Sequence, residues 1–293
     1  MQVIFIHHSC FLVEVDNKVL IFDYFDRNRV NGYTFHGKIP TYEPDTPIYM
    51  FASHSHTDHF DMDILRWADQ YPNIHYILSK DIRISPNFLK KHGIDPKVRD
   101  KVQFVTAGKT YEIDDLKVQT LNSTDVGVAF YVMTNGISIF HAGDLSDWKM
   151  EGAGDLINGK MKRLYQHEIR KLADLPINVA FVPADPRLGE YQFNGLDFFL
   201  KNTDAEFVFP MHMWQDYSGV AAYKKRISNL GMANRLIEIE RENQVFPFGE
   251  LEISLLERGR GEENDLRRIS TECKRYLCKR RCRQCKGARC NPV

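Results

Sequence analysis

His54-Ser55-His56-Thr57-Asp58-His59 packs four side chains able to bind a metal into six residues. Ahead of it runs Ile48-Tyr49-Met50-Phe51-Ala52, an apolar segment of the length and β-branched or aromatic content expected of a buried strand. Behind it stands Asp61, placed to cap a helix that carries Met62, Leu65 and Trp67. The order is therefore strand, ligand-rich turn, helix. Along an extended segment His54 and His56 project to one side, so both imidazoles can reach one ion. Asp58 and His59 lie on the turn, free to face a second ion or water bound to it. A surface loop that is merely rich in histidine is the competing explanation. The whole chain has 11 histidines in 293 residues, so three in one window of six favour a metal site.

Length and composition frame this site. A chain of 293 residues with 43% hydrophobic and 27% charged side chains has the makeup of a globular protein with a substantial core. No apolar run is long enough to span a bilayer, and the N-terminus reads as a first strand and not as a secretory leader, so a cytoplasmic location is expected. The net charge of zero conceals two unlike parts. Residues 257–293 hold 12 basic and 5 acidic side chains, a net of +7, which leaves −7 on residues 1–256. Five of the six cysteines follow residue 272, and only Cys10 lies in the body. We divide the chain into a domain over residues 1–256 and a short basic, cysteine-rich extension over 257–293.

Apolar runs predict strands at residues 3–6, 11–15, 19–22, 48–52, 74–78, 102–105, 116–121, 127–133, 137–140, 179–182, 207–210 and 235–239. Asp16-Asn17 and Asn135-Gly136 are hairpin turns in this reading. Helices are expected after Asp61, near residues 86–92, over 160–173 and over 217–230. Residues 26–47, with Asn31-Gly32 and Pro40, Pro44 and Pro47, form a long loop suited to a flap over the site. Asp23, His54–His59, Asp144 and His212 all fall where a hydrophobic strand gives out. Strand ends held by a core are rigid mounts for ligands, and these four can converge on one edge.

His54-x-His56-x-Asp58-His59 resembles the signature of the metallo-β-lactamase superfamily. The order of the accompanying residues is also similar over residues 1–256: an N-terminal strand acid at Asp23, Gly143-Asp144 downstream, and the late strand-end His212. The segments around His8-Ser9-Cys10-Phe11 and Phe140-His141-Ala142-Gly143-Asp144 look most like the branch of L-ascorbate-6-phosphate lactonase and related small metal-dependent hydrolases. The resemblance implies an α/β fold, a four-layer αβ/βα sandwich with a site for one or two metal ions at the sheet edge. It implies that His54 and His56 hold one ion, that Asp58, His59 and His212 hold another, and that Asp144 bridges them. It further implies Zn²⁺, with Mn²⁺ or Fe²⁺ as substitutes, and a hydroxide held by the metal that attacks a small anionic ester, lactone or phosphoester. Asp58 would orient that hydroxide and carry a proton, and Asp23 would steady a ligand histidine from behind.

One expected ligand is absent. The family supplies a third histidine before the Gly-Asp motif, where this chain reads Leu121-Asn122-Ser123-Thr124-Asp125. Asp125, or a hydroxyl of Ser123 or Thr124, is the candidate substitute, and an oxygen ligand would harden the site. His141 is read as a support within the sheet edge, His7 and His8 as pocket-floor or structural residues, and Arg187 as a group suited to an anionic substrate or to solvent. In the extension, Cys273, Cys278, Cys282, Cys285 and Cys290 alternate with lysine and arginine. Only Cys282-x2-Cys285 has close metal spacing, so a docking segment is preferred to a zinc knuckle. The competing functions are a phosphodiesterase or nuclease that uses the basic extension, and a non-enzymatic protein with a degenerate metal site. We expect a small-molecule substrate, neither nucleic acid nor membrane as partner, and leave the oligomeric state open.

Overall fold

A computed structural model describes residues 1–26 and 30–248. The chain divides into one unit over Gln2–Pro247 and another of Met1 with Phe248–Val293. Of the second unit only Met1 and Phe248 are described, joined by a hydrogen bond from Phe248 N to Met1 O. The boundary at residue 256, the basic extension and its five cysteines lie outside the described residues.

In Gln2–Pro247 the chain begins with β1 (Gln2–His7), β2 (Cys10–Val15), β3 (Lys18–Phe22) and β4 (Ile48–Ala52). The 3₁₀ helix Met62–Asp69, β5 (Ile74–Ser79), α1 (Pro86–Lys91), the 3₁₀ helix Pro96–Lys101 and β6 (Val102–Val105) follow. Then come β7 (Thr110–Ile113), β8 (Leu116–Asn122), β9 (Val128–Thr134), β10 (Ile137–His141), α2 (Asp155–Arg170) and β11 (Val179–Pro183). The 3₁₀ helix Pro186–Tyr191, α3 (Asn194–Asn202), β12 (Phe207–Met211), α4 (Ser218–Arg226) and β13 (Gln244–Pro247) complete the described part, with short 3₁₀ turns at Ser228–Leu230 and Ala233–Arg235.

The strands form a seven-stranded sheet, ordered β13-β1-β2-β3-β4-β5-β6, and a six-stranded sheet, ordered β12-β11-β10-β9-β8-β7. Aromatic rings mesh between them. Phe11 of β2 stacks on Phe181 of β11 at 4.1 Å, and Phe51 of β4 meets Phe130 of β9 at 5.2 Å. The opposite face of the first sheet, with Ile4, Ile21, Met50 and Tyr76, is buried against Ile64 and Leu65 of the 3₁₀ helix and Leu89 of α1. On the second sheet, Phe140 of β10 stacks on Phe199 of α3. Two-sided burial explains why the inner strands read as continuous apolar runs without alternation.

Strand direction places the site. In the first sheet β2 is antiparallel to β1 and to β3, while β3, β4 and β5 are parallel, so β1, β3 and β4 all end at one edge. In the second, β10, β11 and β12 are parallel, and β8 points the same way because β9 is antiparallel to both β8 and β10. The residues after β1, β3, β4, β8, β10, β11 and β12 are His8, Asp23, Ser53-His54, Ser123–Asp125, Asp144, Asp185 and His212. Several leave their strand in the left-handed region: His8 (φ 50°), Asp23 (φ 48°), Gly143 (φ 51°) and His212 (φ 61°). Such backbone is strained for residues other than glycine and persists where surrounding contacts enforce it.

Most local expectations match. Asp61 accepts from Asp63 N and starts a helix, of the 3₁₀ type. Asn135 and Gly136, both with positive φ, close the β9–β10 hairpin. Three differ. Residues 235–239 are not a strand: a single bridge joins Leu236 to Val208 of edge strand β12. Arg235 is instead held by the carbonyls of Leu200, Thr203 and Ala205, which draws the chain off the sheet. The helix over 217–230 breaks at Ile227 into α4 and a 3₁₀ turn. Strands β7 and β13 carry little apolar patterning, because they sit at sheet edges with half their residues toward solvent.

Candidate metal centre

Three imidazoles share one design. His54, His59 and His212 are buried, and each presents Nδ1 to a protein oxygen. Nδ1 of His54 lies 2.9 Å from Ser53 Oγ, that of His59 2.8 Å from Asp23 Oδ2, and that of His212 2.9 Å from Asp185 Oδ2. The Ser53 hydroxyl donates to Asp23 Oδ2, so its oxygen accepts from His54. All three rings therefore carry the proton on Nδ1 and aim the Nε2 lone pair inward. None of those Nε2 atoms has a hydrogen-bond partner. Buried acceptors without a donor are costly, and a cation is what such a cluster accommodates.

Asp144 stands among them. Its Oδ2 is 3.4 Å from His54 Nε2, and its Oδ1 is 3.1 Å from His59 Nε2 and 3.5 Å from His212 Nε2. Asp58 Oδ2 lies 3.8 Å from His212 Nε2 and 3.9 Å from His59 Nε2. The ligand atoms gather into two sets that could each hold an ion: His54, His56, Asp125 and Asp144, and beside them His8, Asp58, His59 and His212. Nitrogen and carboxylate donors suit a divalent ion of the zinc, iron or manganese type.

The structure also sorts the candidates for the absent third histidine. The Thr124 hydroxyl is engaged with the loop of Asp144, bonding Asp144 O, Ser146 O and Ser146 N. The Ser123 hydroxyl accepts from Asp125 N. That leaves the Asp125 carboxylate, whose Oδ2 is 3.6 Å from His56 Nδ1. This side of the site is open, with His56 48% and Asp125 44% exposed, whereas the side around His59 is closed.

His8 is the residue that sequence reasoning undervalued. Its ring is fully enclosed, neither nitrogen has a hydrogen-bond partner, and Nε2 lies 3.5 Å from Asp58 Oδ2. The available signal was its place at the exit of β1, equivalent to Asp23 after β3. His7 beside it packs among Tyr24, Phe25 and Phe35 and is outside both sets. His141 stays in a supporting role, with Nε2 on Ser9 O and Nδ1 accepting from Gly143 N. Asp185 does for His212 what Asp23 does for His59, and also receives Trp214 Nε1 and Arg187.

Charge states follow the packing. Burial, reinforced by His212, pushes His8 down to about 3, and burial with His59 nearby pushes His54 down to about 4. Both are thus neutral ligands at neutral pH. Burial also disfavours the charged form of His59, but the carboxylates of Asp144 and Asp23 outweigh it and draw positive charge to this ring, a pull that a cation on Nε2 would satisfy in place of a second ring proton. Burial raises Asp144 and Asp58, yet surrounding histidines prevail and keep both carboxyls below their usual range.

A cleft of about 440 Å³ opens onto the two sets. His56, Asp58, Asp125, Asp144 and His212 lie at its base, and Trp148, Met150, Met161, Arg187 and Leu188 form its sides. Phe35 and Tyr33 from the loop before β4 pack on Trp214 and on the far side of His8, so this loop backs the site.

Two glycines let the strands close on the site. A Cβ on Gly127 (φ 78°) would fall 2.0 Å from Ser53 O and 2.5 Å from His54 Cβ; one on Gly143 would fall 2.6 Å from Ser53 Cβ. Gly127→Ala is expected to cost about 2–4 kcal/mol of unfolding free energy, from clash and left-handed strain together. Urea denaturation measures it, and a cost under about 0.5 kcal/mol would show that the close approach is not required.

The sequence of the Beta-lactamase superfamily domain matches residues 2–159, and the chain belongs to that family. Its fold is similar to that of a metallo-hydrolase from the hyperthermophilic archaeon Ignicoccus hospitalis, at 18% identity over 85% of this chain and 99% of that one, with a TM-score of 0.56. It is also similar to a putative metal-dependent hydrolase from Parabacteroides distasonis, at 17% identity over 83% and 93% of the two chains, TM-score 0.51. A diiron β-hydroxylase from Streptomyces venezuelae shares the fold at 11% identity over 84% of this chain and 54% of that one, TM-score 0.55. No curated protein matches the chain. Among the described residues, no helix is long and apolar enough to cross a membrane.

Proposed function

We propose that this chain hydrolyses a small ester, lactone or phosphoester at a two-metal centre. His54, His56, Asp125 and Asp144 would hold one ion, and His8, Asp58, His59 and His212 would hold the other. Zn²⁺ is the expected metal, with Fe²⁺ or Mn²⁺ accepted on the more oxygen-rich side of Asp125. The observation that carries this reading is the trio of buried imidazoles whose Nδ1 protons are all engaged while their Nε2 lone pairs converge on Asp144 without a donor. A layered αβ/βα sandwich of the lactonase-like branch suits the likeness in motif around Gly143-Asp144.

A bound divalent ion supplies Lewis acidity toward the reacting carbonyl or phosphoryl oxygen and lowers the pKa of water. The protein does the rest. Asp58, ionised and at the base of the cleft, accepts a proton at Oδ2 and passes it toward the leaving group. Asp23, Ser53 and Asp185 fix ring orientation and tautomer. Trp148, held by its Nε1 on Asp144 O, walls the cleft and limits water beside the substrate.

Elemental analysis of the purified full chain, followed by assay on aryl esters, lactones and phosphodiesters with and without His56→Ala, tests the reading. Metal-dependent turnover that His56→Ala lowers at least about 10²-fold is expected; a protein that binds no metal would sink it. Asp125→Ala is expected to lower metal affinity on its side about 10–100-fold. Unchanged metal content and activity would remove Asp125 from the site.

A further inference from the structure

Arg187 lines the cleft, with its side chain 55% exposed. It is nonetheless held from two directions. Nε donates to Asp185 Oδ1 and Oδ2, both at 3.0 Å, and Nη2 donates to Oδ2 at 2.5 Å. Beneath, the guanidinium carbon lies 4.3 Å from the ring centre of Trp214, whose own Nε1 is tied to the same carboxylate. A long, rotamer-rich side chain is thus fixed before any ligand arrives, which removes most of the ordering cost that a surface arginine would incur on binding.

A guanidinium has five N–H donors, and Asp185 takes one from Nε and one from Nη2. The parallel pair on Nη1 and Nη2 remains, and among the described residues Nη1 has no hydrogen-bond partner. That pair has the spacing of a carboxylate or a phosphate edge. Trp148, Met150, Met161 and Leu188 line the same cleft as Arg187 and the metal-ligand cluster and give it apolar wall beside both. The cleft therefore offers a fixed cation and apolar side chains beside the reactive centre.

We propose that Arg187 is the specificity-determining anion anchor of the cleft, and that the substrate is an amphipathic anion. One carboxylate or phosphate docks on the free Nη1/Nη2 edge, a short apolar segment lies along Trp148 and Leu188, and the bond to be cleaved is a separate group beyond it. The inference rests on the hydrolase reading for the bond-cleaving end only; the anion site stands on Arg187, Asp185 and Trp214.

Binding to the metal-loaded full chain is measured by calorimetry and by tryptophan emission, to which Trp214 contributes, with glutarate, methyl phosphate and uncharged glutaramide as probes. Saturable binding of glutarate or methyl phosphate but not glutaramide is expected, and whichever of the two binds tighter identifies the anion. Arg187→Gln should weaken that binding about tenfold or more, with Arg187→Lys recovering part of it and metal content unchanged in both. His56→Ala should keep it. Where esters are turned over, the ratio of kcat/KM for mono-p-nitrophenyl glutarate over p-nitrophenyl butyrate should fall at least about tenfold in Arg187→Gln. No saturable anion binding, equal binding in Arg187→Gln, or binding lost in His56→Ala but kept in Arg187→Gln overturns the proposal, the last by placing the anion on the metal. Anion binding intact with no metal-dependent turnover of any substrate would instead fault the hydrolase reading.

Discussion

Asp144→Asn is expected to reduce metal-dependent turnover by at least about 10²-fold and to halve the bound metal or worse. The size of the effect follows from position. Asp144 has one oxygen 3.4 Å from His54 and the other 3.1 Å and 3.5 Å from His59 and His212, so its carboxylate reaches rings of both ligand sets. The amide keeps the volume but replaces one acceptor with a donor and removes the charge that balances two cations. A donor NH₂ would also face Nε2 of a neighbouring ring, which can accept from it, so the apo protein should remain folded. Elemental analysis, activity and thermal melting of the same preparations separate these effects. Full metal occupancy in Asp144→Asn would show that the ions are not shared through this residue.

Asp23→Ala is expected to lower the unfolding free energy by about 3–5 kcal/mol. Asp23 is completely buried and accepts from Ser53 N at 2.7 Å, Ser53 Oγ at 2.6 Å and His59 Nδ1 at 2.8 Å. Its removal leaves three donors without acceptors in a site that water does not reach. It also frees the His59 ring and, through Ser53, the His54 ring. Metal affinity should therefore fall about 10–100-fold along with stability. Asp23→Asn should be milder, since it retains an acceptor for Ser53 N. Chemical denaturation and a competitive chelator titration read the two effects independently. A variant as stable as the parent, with the same affinity, would mean that these hydrogen bonds are readily replaced.

Much of the architecture was legible because it is local. Period, turn chemistry and capping are short-range properties, so Asp16-Asn17, Asn135-Gly136 and Asp61 marked their turns and helix start without reference to the rest of the chain. Two of the edge strands escaped, since β7 and β13 have half their residues in solvent and so no apolar run to betray them. Residues 235–239 misled for the opposite reason: a strand-like sequence lies beside β12 but is pulled away after a single bridge by Arg235.

For the site, the sequence by itself determined the ligand chemistry. His54-x-His56-x-Asp58-His59 marks that turn as a candidate metal site, and strand-end acids and histidines mark further mounts. Tertiary structure alone decided which mounts meet. Parallel alignment of β10, β11 and β12 brings Asp144, Asp185 and His212 to one edge, although they are far apart in the chain, and the same alignment of β1, β3 and β4 delivers His8, Asp23 and His54. A lone histidine after β1 or a lone aspartate after β8 has no meaning until strand direction is known. That is why His8 and the pairing of Asp125 with His56 emerged only in three dimensions. Ligand identity is a property of side chains, whereas convergence is a property of strand order, and strand order is set by long-range packing between the two sheets.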